Sequence, residues 1–162
     1  MLPPRLPVPG SYACERDGVS MEITEYFNSS PFRELLDIEV TEAADGHADG
    51  RLDLSAKHSS SPTGMVAQGG VQFTLADTLG GAAAVSVEGR PTPTIDMRID
   101  YLSPATTDLV GEADVVRYSS TAVAEVYVED VDGKPVARAV GVYKVGDLSE
   151  DAPWDTAEFE TD

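Results

Sequence analysis

The sequence predicts an α+β domain in which an antiparallel sheet of about six strands wraps around one long central helix. Residues 69–87 are apolar on nearly every helical face, which is typical of a helix enclosed by other elements. The segments that follow it have strand-like patterns. In residues 94–101, apolar and polar side chains alternate with a period of two.

The elements before this helix are expected to be short. Residues 21–27 can form a short helix. Residues 32–56 are expected to hold the end of a helix and then a hairpin, because apolar residues alternate with polar ones on both sides of the loop at 43–50.

Three further strands are expected after residues 94–101, at 109–120, 121–131 and 134–146. Asp132-Gly133 lies between the last two and predicts a two-residue hairpin turn. Together with residues 94–101, these segments make four consecutive antiparallel strands. The two strands of the earlier hairpin bring the total to about six.

The folded domain is expected to span residues 21–146. Residues 1–20 are predicted to be a flexible segment, since four prolines occur in the first nine positions. Residues 147–162 contain seven acids and no base, which favours a solvated acidic tail.

Charge and composition exclude several classes of protein. The chain has 29 acidic and 11 basic residues and a formal charge of -18, which opposes binding to nucleic acid or to an anionic membrane. No apolar run approaches the roughly 18 residues that a transmembrane helix needs, and the proline-rich start is unlike an export signal. A cytoplasmic location is therefore expected. A single cysteine excludes an intrachain disulfide.

The acidic residues greatly outnumber the three lysines. A surface rich in acids and poor in lysine is typical of proteins from a high-salt cytoplasm, where salt screens self-repulsion. The alternative is an acidic protein without salt adaptation.

Gly69 and Gly70 open the central helix and are candidates for binding an oxyanion. The first N–H groups of a helix have no helical partner and lie at the positive end of its dipole. Glycine also lets a ligand approach the backbone closely. A tight turn into a buried helix is the alternative interpretation.

Asp77 is the strongest candidate for catalysis. A carboxylate on an otherwise apolar helix is costly unless it is paired or hydrogen-bonded. It can serve as a general base or as a nucleophile, or it can simply accept a bond from a neighbouring hydroxyl.

The histidines are weaker candidates. His47, in a polar turn, is expected to face solvent, and His58 to lie in an exposed loop, although it could supply an imidazole to the site. Two histidines and one cysteine far apart predict neither a metal site nor a cofactor.

QGGVQFTLADTLGGAAA, residues 68–84, resembles the signature of PaaI-like acyl-CoA thioesterases of the hotdog-fold superfamily. Gly69 and Gly70 match its glycine pair and Asp77 matches its acid. Residues 92–105 resemble the family's next strand, which ends in Tyr-x-x-Pro. The resemblance extends over roughly residues 30–146.

The resemblance implies a hotdog fold and hydrolysis of an aromatic or medium-chain acyl-CoA without a cofactor. It also implies a homodimer or homotetramer, with Asp77 opposite the glycine pair of the partner subunit. Thr94 would help to hold the attacking water.

The sequence departs from the family at Gln68, which stands where the family has histidine. Ser61 and Gly64, assigned to substrate binding, keep the spacing of the family's Asn-x-x-Gly only with one extra residue before Gln68. An inactive acyl-CoA-binding module is therefore an alternative, and a hydratase or dehydratase of the same fold is a weaker one.

Overall fold

The computed structural model describes residues 12–16, 19–149, 152 and 158–161. The helices and strands, in chain order, are β1 (Tyr12–Arg16), β2 (Val19–Glu22), α1 (Ile23–Asn28), α2 (Pro31–Leu35), β3 (Ile38–Ala44), β4 (His47–Leu52), α3 (Gly69–Glu88), β5 (Thr94–Tyr101), β6 (Leu109–Tyr118), β7 (Thr121–Asp130), β8 (Pro135–Lys144) and β9 (Glu158–Thr161). A 3-10 turn at Ala56–His58 precedes α3.

The main sheet has six strands in the order β3-β4-β6-β7-β8-β5, and every neighbouring pair is antiparallel. The long helix α3 packs against this sheet, and the predicted hotdog fold is confirmed. Gly89 ends α3 in the left-handed conformation, with φ of 73°, where glycine is favoured because it lacks a Cβ.

Small residues allow α3 to lie close to the sheet. Gly50 of β4 and Gly111 of β6 are directly paired, and the side chain of Leu79 fits between them. A Cβ at Gly50 or at Gly111 would lie 2.6 or 2.7 Å from a methyl group of Leu79. The following turn, Ala82 to Ala84, is fully buried, so the middle of α3 is enclosed by packed neighbours.

Tyr143 of β8 is a second close contact between the sheet and α3. Its side chain is fully buried, and its hydroxyl fills the space beside Gly80 and Gly141. A Cβ at either glycine would overlap that hydroxyl. Phe27 of α1 packs on the neighbouring Gly81. The glycines inside α3 and β8 therefore make room for a tyrosine.

Parts of residues 1–20 and 147–162 form strands, and the rest of both segments lies outside the described residues, so the flexible segment and the solvated tail stay predictions. Strands β1, β2 and β9 form a three-stranded antiparallel sheet in the order β2-β1-β9. Extended backbone from both ends of the chain pairs through main-chain hydrogen bonds, which composition alone does not predict.

The hairpin between β7 and β8 also differs from the expectation. Its loop has three residues, because Gly133 N–H donates to Asp130 O and Asp130 N–H donates to Lys134 O. Only Gly133 of this loop has a positive φ, 81°. A type I turn followed by a left-handed glycine is the usual three-residue alternative to the predicted two-residue turn.

The expectation that His47 faces solvent is wrong. His47 is buried, its Nδ1 lies 2.8 Å from Asp114 Oδ1, and its Nε2 lies 3.1 Å from Asp49 Oδ1. Both ring nitrogens therefore face carboxylates. Burial alone would lower the pKa of His47, but the hydrogen bonds and charges of the two carboxylates outweigh it and raise the pKa above 6.5.

No helix in the described residues is long and apolar enough to cross a membrane.

Gly80→Ala should destabilise the fold by about 1–3 kcal/mol, because the new methyl group overlaps the buried Tyr143 hydroxyl. Gly81→Ala is the matched control. Its Cβ would meet only ordinary contacts at 3.7 and 3.8 Å, and alanine is favoured over glycine in helices by about 1 kcal/mol. Urea unfolding of both variants measures the difference, and equal stabilities would contradict this account of Gly80.

The stability contributed by His47 should depend on pH. A raised folded-state pKa means that the contribution is fully present below pH 6.5 and is lost as the pH rises through the folded-state pKa. The difference in unfolding free energy between the wild type and His47→Gln should therefore shrink as the pH rises above 6.5 and through the folded-state pKa of His47. In an Asp114→Asn background that dependence should be weaker. A difference that is constant with pH would show that the ring is not stabilised as a cation.

Candidate active site

The entry to α3 is held by main-chain bonds from two directions. Ala67 N–H donates to Ala105 O at 2.8 Å, and Gln68 N–H donates to His58 O at 2.8 Å. Gln68 is the N-cap residue of α3, and its Oε1 accepts a bond from Gly70 N–H. The predicted start of the helix at Gly69 is confirmed, and the Gly70 N–H is occupied by the Gln68 side chain.

Tyr101 covers the other side of this first turn. Its hydroxyl donates to Gly69 O at 2.8 Å. A Cβ at residue 69 would lie 2.9 Å from that hydroxyl and 3.1 Å from the ring carbon that carries it. The Tyr101 phenol therefore leaves no room for a side chain at position 69.

Asp77 and Thr94 come together although they are 17 residues apart. Thr94 begins β5 and is exposed, whereas Asp77 is half-buried on α3. The Thr94 hydroxyl donates to Asp77 Oδ1 at 2.8 Å. One carboxylate oxygen is thus oriented by a hydroxyl group at the edge of the sheet.

Arg33 and Tyr143 lie close enough to Asp77 for its charge to affect them, and neither was predicted from the sequence as part of the site. The Arg33 side chain stacks on Phe27, 4.6 Å from the ring centroid, and its Nε donates to Thr78 Oγ1 at 3.2 Å. Burial lowers the pKa of Arg33, and the negative charge of Asp77 opposes that change. Burial, with a smaller contribution from Asp77, raises the pKa of the Tyr143 phenol.

Within one chain, Asp77 is far from the N–H groups of Gly69 and Gly70. A helix rises about 1.5 Å per residue, so a sequence separation of seven or eight positions amounts to about 10–12 Å along α3. Reacting atoms must approach to about 3–3.5 Å. This spacing disfavours the use of both groups of one chain on the same carbonyl.

Ser61 and Gly64 lie in the loop that precedes α3, and Ser59 organises this loop. The Ser59 hydroxyl donates to Gly64 O at 2.7 Å and accepts from Ser61 N–H at 3.1 Å. The hydrogen bonds described for both residues lie within the loop. Their role in substrate binding stays a prediction.

The expectation of an exposed His58 is wrong. The side chain is buried, and its Nδ1 accepts a bond from Ser55 N–H at 2.9 Å. Its Nε2 lies 4.0 Å from Asp37 Oδ2. His58 closes a capping box at the 3-10 turn, and its carbonyl holds Gln68, so its role here is to support the loop.

In the described part of the chain, no group of three or more His, Cys, Asp or Glu residues could hold a metal ion.

Comparisons with known proteins identify the family of this chain. A sequence model of the thioesterase superfamily matches residues 66–137. A Halobacterium salinarum protein named "Putative esterase" is 34% identical over 137 residues, which are 78% of this chain and 91% of the relative. The chain belongs to the thioesterase superfamily.

Solved structures show the same fold. An X-ray structure of a thioesterase-superfamily protein is 32% identical, with a TM-score of 0.72 over 76% of this chain and 96% of the other. A Streptococcus pneumoniae hypothetical thioesterase, crystallised with coenzyme A, is 25% identical, with a TM-score of 0.61 over 69% and 88%. The PaaI protein of Escherichia coli is 23% identical, with a TM-score of 0.67 over 75% and 88%, and this likeness shows the fold alone.

Gln68→Ala should weaken the start of α3, because Gly70 N–H loses its side-chain acceptor. Loss of an N-cap acceptor costs about 0.5–2 kcal/mol. Gln68→Asn is the control, because asparagine retains an amide oxygen and is among the favoured N-cap residues. Urea unfolding should rank the alanine variant below both the wild type and the asparagine variant. If all three proteins unfold at the same urea concentration, the bond to Gly70 does not stabilise the helix.

Proposed function

We propose that the protein is an acyl-CoA thioesterase that hydrolyses a thioester to a free acid and coenzyme A. The observation that supports this most directly is the Asp77 carboxylate, half-buried on an apolar helix and hydrogen-bonded to the Thr94 hydroxyl at 2.8 Å. A carboxylate with an adjacent hydroxyl can hold a water molecule and remove its proton.

In the proposed reaction, Asp77 takes a proton from water while the water oxygen attacks the thioester carbonyl carbon. The carbonyl oxygen becomes negative and is stabilised by the N–H groups of Gly69 and Gly70. The C–S bond then breaks, and the coenzyme A sulfur leaves and receives the proton from Asp77. Direct attack by the Asp77 carboxylate, followed by hydrolysis of the resulting anhydride, is the alternative route.

The site is proposed to form between two chains. The separation of about 10–12 Å along α3 disfavours the joint action of Asp77 and the glycine N–H groups of one chain on one carbonyl. A second copy can supply the missing half. A homodimer or homotetramer, as the family resemblance implies, meets this requirement.

Coenzyme A esters are the proposed substrate class because a 25% identical thioesterase of the same fold was crystallised with coenzyme A. The motif around Gly69, Gly70 and Asp77 favours the PaaI-like branch and hence an aromatic or medium-chain acyl group. Such a substrate fits the cytoplasmic location expected from the sequence. The acidic surface suggests that assays should use high salt.

Gln68 keeps a second candidate function open. Its Oε1 occupies the Gly70 N–H, so a thioester oxygen can use that N–H only after the side chain turns away. An acyl-CoA-binding module with little or no turnover would retain such a cap. Binding of an acyl-CoA without release of free thiol would favour this second candidate.

Asp77→Asn should lower kcat/KM by about 100- to 10,000-fold, the usual effect of removing a general base. The assay follows free thiol released from benzoyl-, phenylacetyl- and octanoyl-CoA in high salt. Asp132→Asn is the matched control, because it removes the same charge at an exposed position of the β7–β8 hairpin. It should hydrolyse the esters like the wild type.

Turnover that survives in Asp77→Asn would exclude Asp77 as base or nucleophile. A wild type that releases no thiol from any of these esters would contradict the proposed activity itself.

A further inference from the structure

The peptide group that joins Gly69 to Gly70 is hydrogen-bonded at both ends. The Tyr101 hydroxyl donates to its carbonyl oxygen at 2.8 Å. Its N–H, which belongs to Gly70, donates to Gln68 Oε1. A trans peptide holds these two groups rigidly in opposite directions, so the Tyr101 contact fixes the direction of the Gly70 N–H.

The contact also changes the strength of that N–H as a donor. Hydrogen bonds in a chain polarise one another, by perhaps 10–30% per bond. A donor on the carbonyl oxygen draws electron density from the peptide nitrogen and makes its hydrogen more positive. The Gly70 N–H is one of the two proposed oxyanion donors. A hydrogen bond to the Gly69 carbonyl therefore strengthens the bond that this N–H donates to the reacting oxygen.

We propose that Tyr101 is a positioning residue for hydrolysis, which aims and polarises the Gly70 N–H through the Gly69 carbonyl. The proposal rests on the proposed thioesterase function. Tyr101 does not need to touch the substrate, and Gln68 holds the same N–H only until a carbonyl oxygen replaces its Oε1.

The local packing fits this role. Tyr101 is the last residue of β5 and is 52% exposed, so burial of apolar surface does not account for its position over the helix. The side chain instead reaches a glycine whose missing Cβ leaves the space that the hydroxyl needs, since a Cβ there would lie 2.9 Å from the oxygen. The same strand supplies Thr94 at its other end. Strand β5 thus orients both a helix carbonyl and the Asp77 carboxylate.

Tyr101→Phe is the direct test because it removes one oxygen and keeps the ring. The kcat for a thioester hydrolysed by the wild type should fall about two- to tenfold, the equivalent of one hydrogen bond, while KM and inhibition by free coenzyme A stay unchanged. Tyr127→Phe is the control. It also removes a phenol bonded to a polar partner, here Glu125 of the same strand, and should leave kcat unchanged.

A second readout does not depend on turnover. The chain has 14 glycines, so a spectrum of protein labelled with ¹⁵N-glycine is small, and Gly70→Ala identifies the Gly70 signal. Loss of the bond to the Gly69 carbonyl should move the Gly70 amide ¹H and ¹⁵N signals upfield in Tyr101→Phe. The Tyr127→Phe spectrum should retain the wild-type position.

A double-mutant cycle adds a third measurement. Gly69→Ala should push the phenol away and lower kcat by itself. Because both changes break one contact, the doubly substituted protein should be no slower than the slower single variant.

The role of Tyr101 would be overturned by an unchanged kcat in Tyr101→Phe, or by a fall in kcat/KM that comes mainly from a rise in KM. It would also be overturned by an unmoved Gly70 signal or by additive effects in the cycle. If the wild type hydrolyses no acyl-CoA, the proposed function is wrong. In that case the position of the Gly70 signal in Tyr101→Phe still shows whether Tyr101 polarises the peptide group.

Discussion

The close approach of α3 to the sheet is the constraint on which the rest of this structure depends. Leu79 lies between two paired glycines of β4 and β6, and Tyr143 fills the space beside two further glycines. These contacts leave α3 no room to slide or rotate without overlap, because protein interiors are close-packed. The N-terminus of the helix and Asp77 are therefore held in fixed positions relative to β5.

Enclosure of the helix also explains why a single carboxylate on it is informative. Most of the chain's 29 acids can be explained as a solvated surface. Asp77 differs because it lies half-buried on an apolar helix, with a hydroxyl donor on one side and the half-buried Arg33 nearby. The hydroxyl of Thr94 therefore orients one oxygen of the only carboxylate on this helix that lies away from its ends.

Periodic patterns predicted most of the fold. The apolar stretch that became α3 and the alternation in β5 to β8 are local, and they could be identified without a structure. The burial of His47 between Asp49 and Asp114 could not, because Asp114 lies on the separate strand β6, 67 residues further along the chain. The strands at the two termini depend on pairing between opposite ends of the chain, and composition contains no information on that pairing.

The same distinction holds for the candidate site. Gln68, Gly69, Gly70 and Asp77 were found because they fall within one short motif, and the structure joins the first three at one helix end. Tyr101, Arg33 and Tyr143 were missed as parts of the site because their roles come from long-range contacts. Tyr101 did lie in the Tyr-x-x-Pro segment, so its position was visible in the sequence although its bond to Gly69 was not.

Complementation between two inactive variants tests the central claim most directly, namely that Asp77 of one chain acts with the Gly70 N–H of another. Asp77→Asn lacks the base, and Gly70→Pro lacks the N–H, so each protein alone should be nearly inactive. Co-expression with different affinity tags yields purified mixed dimers, in which one of the two sites is intact. The account predicts that these recover about half of the wild-type activity per dimer. Mixed dimers as inactive as their parents, or failure of the two chains to associate, would contradict it.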